Sequence, residues 1–214
     1  YQTGYTLVNR YVGLVFGAMA VEYYPRLASQ AHSRKRSGIF VSQEINILLL
    51  VLVPIVAAMM CLRKPVVALL YSEEFFAALT FLTYMLVGMV FRATSWAMAF
   101  VILARGDGKV YMITESASVV VGAVLNITFY NYWGLSGIGI SFVLWYLIYN
   151  IIVGVVYFGR YGLTVDKSVV VHTVYAMVVV TAVAVAMEMD LWLIAVVMSA
   201  ISLIISAIGL KRIL

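Results

Sequence analysis

The sequence predicts an all-α membrane protein: a polytopic bundle of about seven transmembrane helices, N-terminus outside and C-terminus inside. Three observations lead there. Of 214 residues, 65% are hydrophobic and 11% charged, against about 45–50% and about 25% in ordinary soluble domains, which leaves too few polar side chains to cover a water-facing surface. Apolar runs such as 47–60 and 169–187 are long and unbroken, as in spanning helices of about 20 residues rather than barrel strands that alternate over about 10. Finally, the basic residues sort by loop. Arg26, Arg34, Lys35, Arg36, Arg105, Lys109, Arg160, Lys167, Lys211 and Arg212 fall on one side, and only Arg63 and Lys64 on the other. Cytoplasmic loops are the basic ones, which sets the orientation.

The predicted helices run over about 5–24, 40–62, 78–103, 111–131, 138–159, 169–187 and 191–210. In the first, Asn9, Gly13 and Gly17 share a face with Arg10 beside it, and the two glycines form a GxxxG pattern of the kind that brings helix backbones together. The segment 29–40 is polar and basic and is expected along the cytoplasmic surface before the second helix. Within that helix Pro54 deprives the Leu50 carbonyl of its donor, predicting a kink and a candidate hinge. The third carries Arg92 near its middle, on a face with Gly88 and Ser95.

Small and polar residues also stripe the later helices. The fourth has Glu115, Ser118, Gly122 and Asn126, and the fifth Tyr146, Asn150 and Gly154. The seventh has Ser199, Ser202, Ser206 and Gly209, with nothing ionisable, and reads as a packing face. No soluble domain or Gly/Ser linker interrupts the series.

The chemistry follows from where charge is buried. Arg92 lies roughly 11 residues from the cytoplasmic end, about 16 Å, too deep for its guanidinium to reach the interface, so it needs a partner or a wet cavity. Its bidentate fork suits the oxygens of a phosphate. With Arg10, Asn9, Asn126, Tyr146 and Asn150 it forms the set of substrate-cavity candidates. Glu115 reads either as a carboxylate at a helix N-terminus or as a proton- or cation-coupling group, and it is the obvious ion-pair candidate for Arg92. His32 and His172 read as interfacial, and Glu188 and Asp190 flank a short outer turn where water solvates both. Single Cys61 excludes a disulfide framework. Phosphate loops, metal clusters and catalytic triads find no matching pattern, so neither enzymatic activity, a cofactor nor a metal is expected. The net charge of +5 is accounted for by topology and anionic headgroups, so nucleic acid is not an expected partner.

Four segments in order carry a family resemblance. Gly4-Tyr5 opens an apolar helix that ends in Tyr24-Pro25-Arg26-Leu27; Leu69-Leu70-Tyr71 leads to Glu74-Phe75; Gly106-Asp107-Gly108-Lys109 makes a short basic turn; Leu125-Asn126-Ile127 precedes Trp133-Gly134-Leu135-Ser136-Gly137. Together they resemble the Wzx-type flippases of polysaccharide and lipid-linked oligosaccharide units, members of the MOP exporter superfamily. Tyr71-Ser72-Glu73 departs from the glycine usual after the Leu-Leu-Tyr run.

The resemblance implies that residues 1–159 form most of the second lobe of a two-lobed transporter, lacking its first helix, and that 160–214 add two C-terminal helices. A missing N-terminal lobe of the same protein is the implied partner, along with membrane lipids. The implied substrate is a polyprenyl-pyrophosphate-linked oligosaccharide, moved across the cytoplasmic membrane of a bacterium by alternating access. Alternatives are a lipid II flippase or multidrug exporter of the same superfamily or, from another class, a membrane glycosyl or acyl transferase of envelope synthesis.

Overall fold

A computed structural model describes residues 2–65 and 79–213, with side chains from residue 12 onward. Six long helices account for it: α1 (Gln2–Ser29), α2 (Arg34–Cys61), α3 (Leu79–Ala104), α4 (Gly108–Gly154), α5 (Lys167–Glu188) and α6 (Trp192–Ile213). No strand occurs among the described residues. The Leu69-Leu70-Tyr71 to Glu74-Phe75 segment lies outside them, as do the side chains of Asn9 and Arg10.

The sequence predicts two helices where α4 is continuous by hydrogen bonding, and the backbone explains both descriptions. Gly134 stands inside α4 with φ 59° and ψ −138°, a conformation no helix contains. Glycine adopts it without the Cβ clash that other residues meet. Contacts across it are those of an antiparallel hairpin. Ser141 donates to Asn126 (2.5 Å), the Trp145 indole N–H to Ser118 Oγ (2.9 Å), and the Tyr149 phenol to Glu115. The Glu115–Ser118–Gly122–Asn126 stripe is therefore the seam of this hairpin, and Gly122 leaves room for the Trp145 ring. Beyond Gly154 the second arm continues as a π-helical turn, Val155–Arg160.

Among the described residues five helices are long and apolar enough to cross a membrane: α2, α3, α4 with its π turn, α5 and α6. The 53-residue α4 unit doubles back, so it supplies two crossings. α1 matches α2 in length but is the least apolar of the long helices. The architecture is thus the all-helical, polytopic bundle that run lengths predict.

Packing centres on α2 and α3, whose apolar windows are the most buried. α3 is enclosed by α1, α2, α4 and α5, while α6 rests on α2 and α5. Ser202 and Ser206 of the α6 stripe are buried, and Gly209 lies against Leu50 of α2. The opposite face of α6 presents Leu193, Val197, Ile201 and Ile204, which lipid tails solvate without cost. The GxxxG pattern of α1 behaves differently. A Cβ added at Gly13 or Gly17 would meet nothing within 4 Å, so this face is not a packing seam among the described residues.

Two other expectations need correction. The basic segment 29–40 is not a surface loop, because α2 already begins at Arg34, where Ser33 occupies the N-cap. Ser37 Oγ also bonds the Gln30 carbonyl at 2.9 Å, folding the turn tightly. Asp190, its side chain 81% exposed, is open to water as expected, but Glu188 is only partly so. Arg63, 6% exposed, places Nη1 2.5 Å from Glu188 Oε1 and Nη2 3.0 Å from the Met187 carbonyl, and it also bonds Thr83 of α3. Lys64 pairs with Asp190 at 3.0 Å. Arg63 and Lys64 thus pair with the two acids at the α5–α6 turn.

The basic turns gather at the other end. Arg160 donates to Asp107 through Nε (3.2 Å) and Nη2 (3.0 Å), Arg105 stacks over Tyr161 at 4.5 Å, and Arg34 lies beside Gly162. Their common location is what the loop-by-loop charge count requires.

Candidate functional site

Between α3 and the α4 hairpin, next to α1, lies a cavity of about 220 Å3. Arg92, Trp96, Ala99 and Leu103 line it from α3, a spacing of three and four that keeps one helix face turned inward. Tyr111 and Glu115 come from the first arm of α4, and Tyr146 and Tyr149 from the second.

Arg92 is the cation in this wall. Its guanidinium carbon stands 5.3 Å from the Phe16 ring of α1 and 5.5 Å from the Tyr146 ring of α4. Both distances lie in cation–π range, where a partly desolvated pair contributes about 0.5–2 kcal/mol. Glu115 receives the Tyr149 phenol. No ion pair joins Glu115 to Arg92 among the described residues, although the two line the same cavity. Two groups of rings flank Arg92: Trp96 lies 4.5 Å from Phe100 and 5.4 Å from Phe16, and Trp145 is stacked on Tyr146 at 5.2 Å. A polar space of this size with one cation, one carboxylate and aromatic faces suits an anionic group beside a ring or an apolar surface.

Of the cavity candidates, Arg92 and Tyr146 are brought together, and Glu115 joins them. Asn150 turns instead to α3, donating to the Phe91 carbonyl (2.5 Å) and to Thr94 Oγ1 (2.8 Å). Asn126 accepts from Ser141 inside the hairpin. Pro54 lies on the far side of α2, in the wall of an apolar groove of about 720 Å3 shared with α6, where α2 stays helical through it. Cys61 borders that groove. His172 is not merely interfacial: its Nδ1 lies 2.8 Å from Asn46 Oδ1, and Asn46 Nδ2 donates to Ser168 at 2.9 Å, tying α5 to α2. His32 is exposed in the α1–α2 turn.

Sequence reasoning missed Trp96, Phe100 and Tyr149, although Trp96 follows Arg92 by four, Phe100 follows Trp96 by four and Tyr149 follows Tyr146 by three. It also missed Glu44, a buried carboxylate of α2. At the α3–α4 turn, burial works against ionised Asp107. Hydrogen bonds from the Tyr161 phenol, the Val110 N–H and Arg160 outweigh it and hold the carboxyl below its ordinary value. No group of three or more His, Cys, Asp or Glu side chains able to hold a metal occurs among the described residues.

The described residues form a bundle of membrane-length helices with a polar cavity between α3 and the α4 hairpin. No family model matches the sequence, and no curated protein matches it. Among solved structures the chain is similar to the lipid II flippase MurJ in its inward closed conformation, with a TM-score of 0.69 and 14% sequence identity. The match covers 98% of this chain and 47% of that one, so the chain spans about half the length of the flippase it resembles. At this identity the likeness establishes the fold.

Proposed function

We propose that the chain is one lobe of a flippase that carries a polyprenyl-pyrophosphate-linked saccharide across the cytoplasmic membrane by alternating access. The observation that carries this reading is Arg92, held deep in α3 and facing an aromatic-walled cavity. A cation buried in a membrane protein is costly unless it serves a partner or a pathway. A pyrophosphate supplies the oxygens that its fork binds, and the flanking rings suit sugar faces. Tyr146 positions the guanidinium, and Glu115 is the ion-coupling candidate of this cavity. Arg10 and Asn9 of α1 complete the candidate set. On the far side of α2, the apolar groove with α6 suits hydrocarbon, and Pro54 in its wall remains the candidate hinge of α2.

In this reading a second lobe closes the cavity, and rocking of one lobe against the other exposes it to either leaflet in turn. The α1 face bearing Gly13 and Gly17, open among the described residues, is available for that lobe.

The leading substrate is an oligosaccharide unit of a surface polysaccharide, on the motif resemblance. A second reading, lipid II, is favoured by the match to the lipid II flippase, which takes in 98% of the chain and hence α5 and α6. Complementation of two strains by the full-length protein tests both. Rescue of a strain lacking its oligosaccharide flippase, with the lipid-linked intermediate cleared from the inner leaflet, supports the first; rescue only of a strain lacking its lipid II flippase supports the second. Rescue of neither overturns the proposal.

A further inference from the structure

A separate cavity of about 240 Å3 lies between α1 and α2 toward their cytoplasmic ends, sharing no lining residue with the Arg92 cavity. Every residue of its lining comes from those two helices, with Glu22, Tyr23 and Arg26 facing Gln43 and Glu44. Glu44 is the unusual member. It is 9% exposed, and its Oε1 has no hydrogen-bond partner. It stands ten residues beyond Arg34, the start of α2, which is about 15 Å along the helix.

The cation nearest to hand is already engaged. Arg26 Nη1 lies 2.8 Å from Glu22 Oε1, and the guanidinium covers the Phe40 ring at 5.7 Å. With all three groups ionised, Glu22, Arg26 and Glu44 carry one surplus negative charge. An ionised carboxylate buried without its donors is expensive, and a proton removes that charge. The Glu22 and Arg26 side chains are 76% and 60% exposed, which leaves the mouth of the cavity open to water.

We propose that Glu44 is a proton-binding site, loaded from the cytoplasm through the α1–α2 cavity and coupled to the Arg92 cavity through the aromatic wall between them. Tyr23 supplies the link. It lines the Glu44 cavity, stacks on Trp96 at 5.8 Å and meets Phe100 at 5.8 Å, and these two rings line the Arg92 cavity. Its hydroxyl donates to the Ala97 carbonyl at 2.8 Å, pinning α1 to α3. Neutralising Glu44 changes the charge that Glu22 and Arg26 face, and with it the seating of α1 on this wall.

Other titratable groups packed around α2 are turned away. On α5, His172 bonds Asn46 through its ring, and Asp166, the N-cap of α5, is exposed. Residues two positions from Glu44 lie about 200° around the helix from it, on the opposite face. Arg92 of α3 stands beyond the aromatic wall, and Lys211 and Arg212 of α6 are exposed at its last turn.

The site itself stands independently of the transport reading; its coupling role rests on that reading. The test is infrared difference spectroscopy of the full-length protein in lipid nanodiscs, titrated from mildly alkaline to mildly acidic buffer, beside Glu44→Gln, Glu44→Asp and Glu115→Gln. Proton binding at Glu44 predicts a carboxylic-acid C=O band that rises on acidification, vanishes in Glu44→Gln, shifts in Glu44→Asp and persists in Glu115→Gln. A band unchanged in Glu44→Gln, or lost in Glu115→Gln instead, overturns the site. In proteoliposomes Glu44→Gln is expected to flatten the pH dependence of flipping, and an unaltered pH profile overturns the coupling. Absence of flipping by the wild type, with the infrared band intact, counts against the transporter reading and leaves the proton site standing.

Discussion

Replacing Gly137 with alanine places a methyl group where the opposite arm of the hairpin already stands. A Cβ built at Gly137 lies 2.1 Å from the Phe129 carbonyl oxygen, against the 3.4 Å at which ordinary contact begins, a shortfall of about 1.3 Å. The obstacle is backbone, so no rotamer change relieves it, and the arms must part near their turn. The Ser141–Asn126 bond, 2.5 Å long and one helical turn further in, stretches with them. Overpacking against a rigid neighbour costs about 1–3 kcal/mol, and a lost interior hydrogen bond about 0.5–1.5 kcal/mol. The expected loss is therefore about 2–4 kcal/mol, read from the unfolding midpoint of the full-length protein in detergent. Gly159→Ala is the control, because a Cβ there meets nothing within 4 Å. A Gly137→Ala protein within about 0.5 kcal/mol of wild type refutes the account of the hairpin, since surface-like tolerance is the mark of an unpacked site.

Further outcomes follow from the charged residues. Arg92→Ala is expected to abolish transport with expression and insertion retained, and Arg92→Lys to keep part of it; normal flux in the alanine variant removes the cavity role. Arg63→Ala is expected to lower stability by about 1–3 kcal/mol, with the smaller end favoured because Glu188, 39% exposed, can rehydrate; an unchanged unfolding midpoint contradicts the clamp. For Asp107 the folded carboxyl titrates below its ordinary value, so its contribution is fully present above the unfolded pKa of about 3.9 and is lost as pH falls through the lowered value. Unfolding midpoints of wild type and Asp107→Asn should differ at neutral pH and converge in strong acid, and a gap that survives acidification argues against the ionised turn.

The helices were legible because a membrane span imposes a length and an apolarity that few other structures share. The turn was legible for a similar reason: Gly134 and Gly137 answer to backbone geometry that leaves a local trace, whereas Glu115 and Asn126 read as coupling and cavity residues and bond between the arms. Where two distant segments must meet, the trace disappears. Spacing puts Gly13 and Gly17 on one face but says nothing of what faces them. Arg63 and Glu188 each look like loop residues until α2, α3 and α5 are placed side by side. Glu44 follows a basic segment and precedes an apolar run, so it reads as a boundary residue, and only the arrival of α1 over it creates a buried carboxylate. Charge explains the partial success at the cavity. A deep arginine is conspicuous in any apolar run, whereas Trp96, Phe100 and Tyr149 are aromatic residues in a chain already 14% aromatic.

The clamp at the outer end also constrains the order in which the protein can be assembled. Arg63 and Glu188 are 125 residues apart, so at about 5–20 residues per second a ribosome needs roughly 6–25 s to deliver the acid after the base. During that interval α2 and α3 are already in the bilayer while the guanidinium they will enclose has no counter-charge. Until then the partner available to it is Thr83 of α3, and its charge is balanced only when α5 arrives. A nascent chain stalled before Glu188 therefore carries Arg63 without its counter-charge.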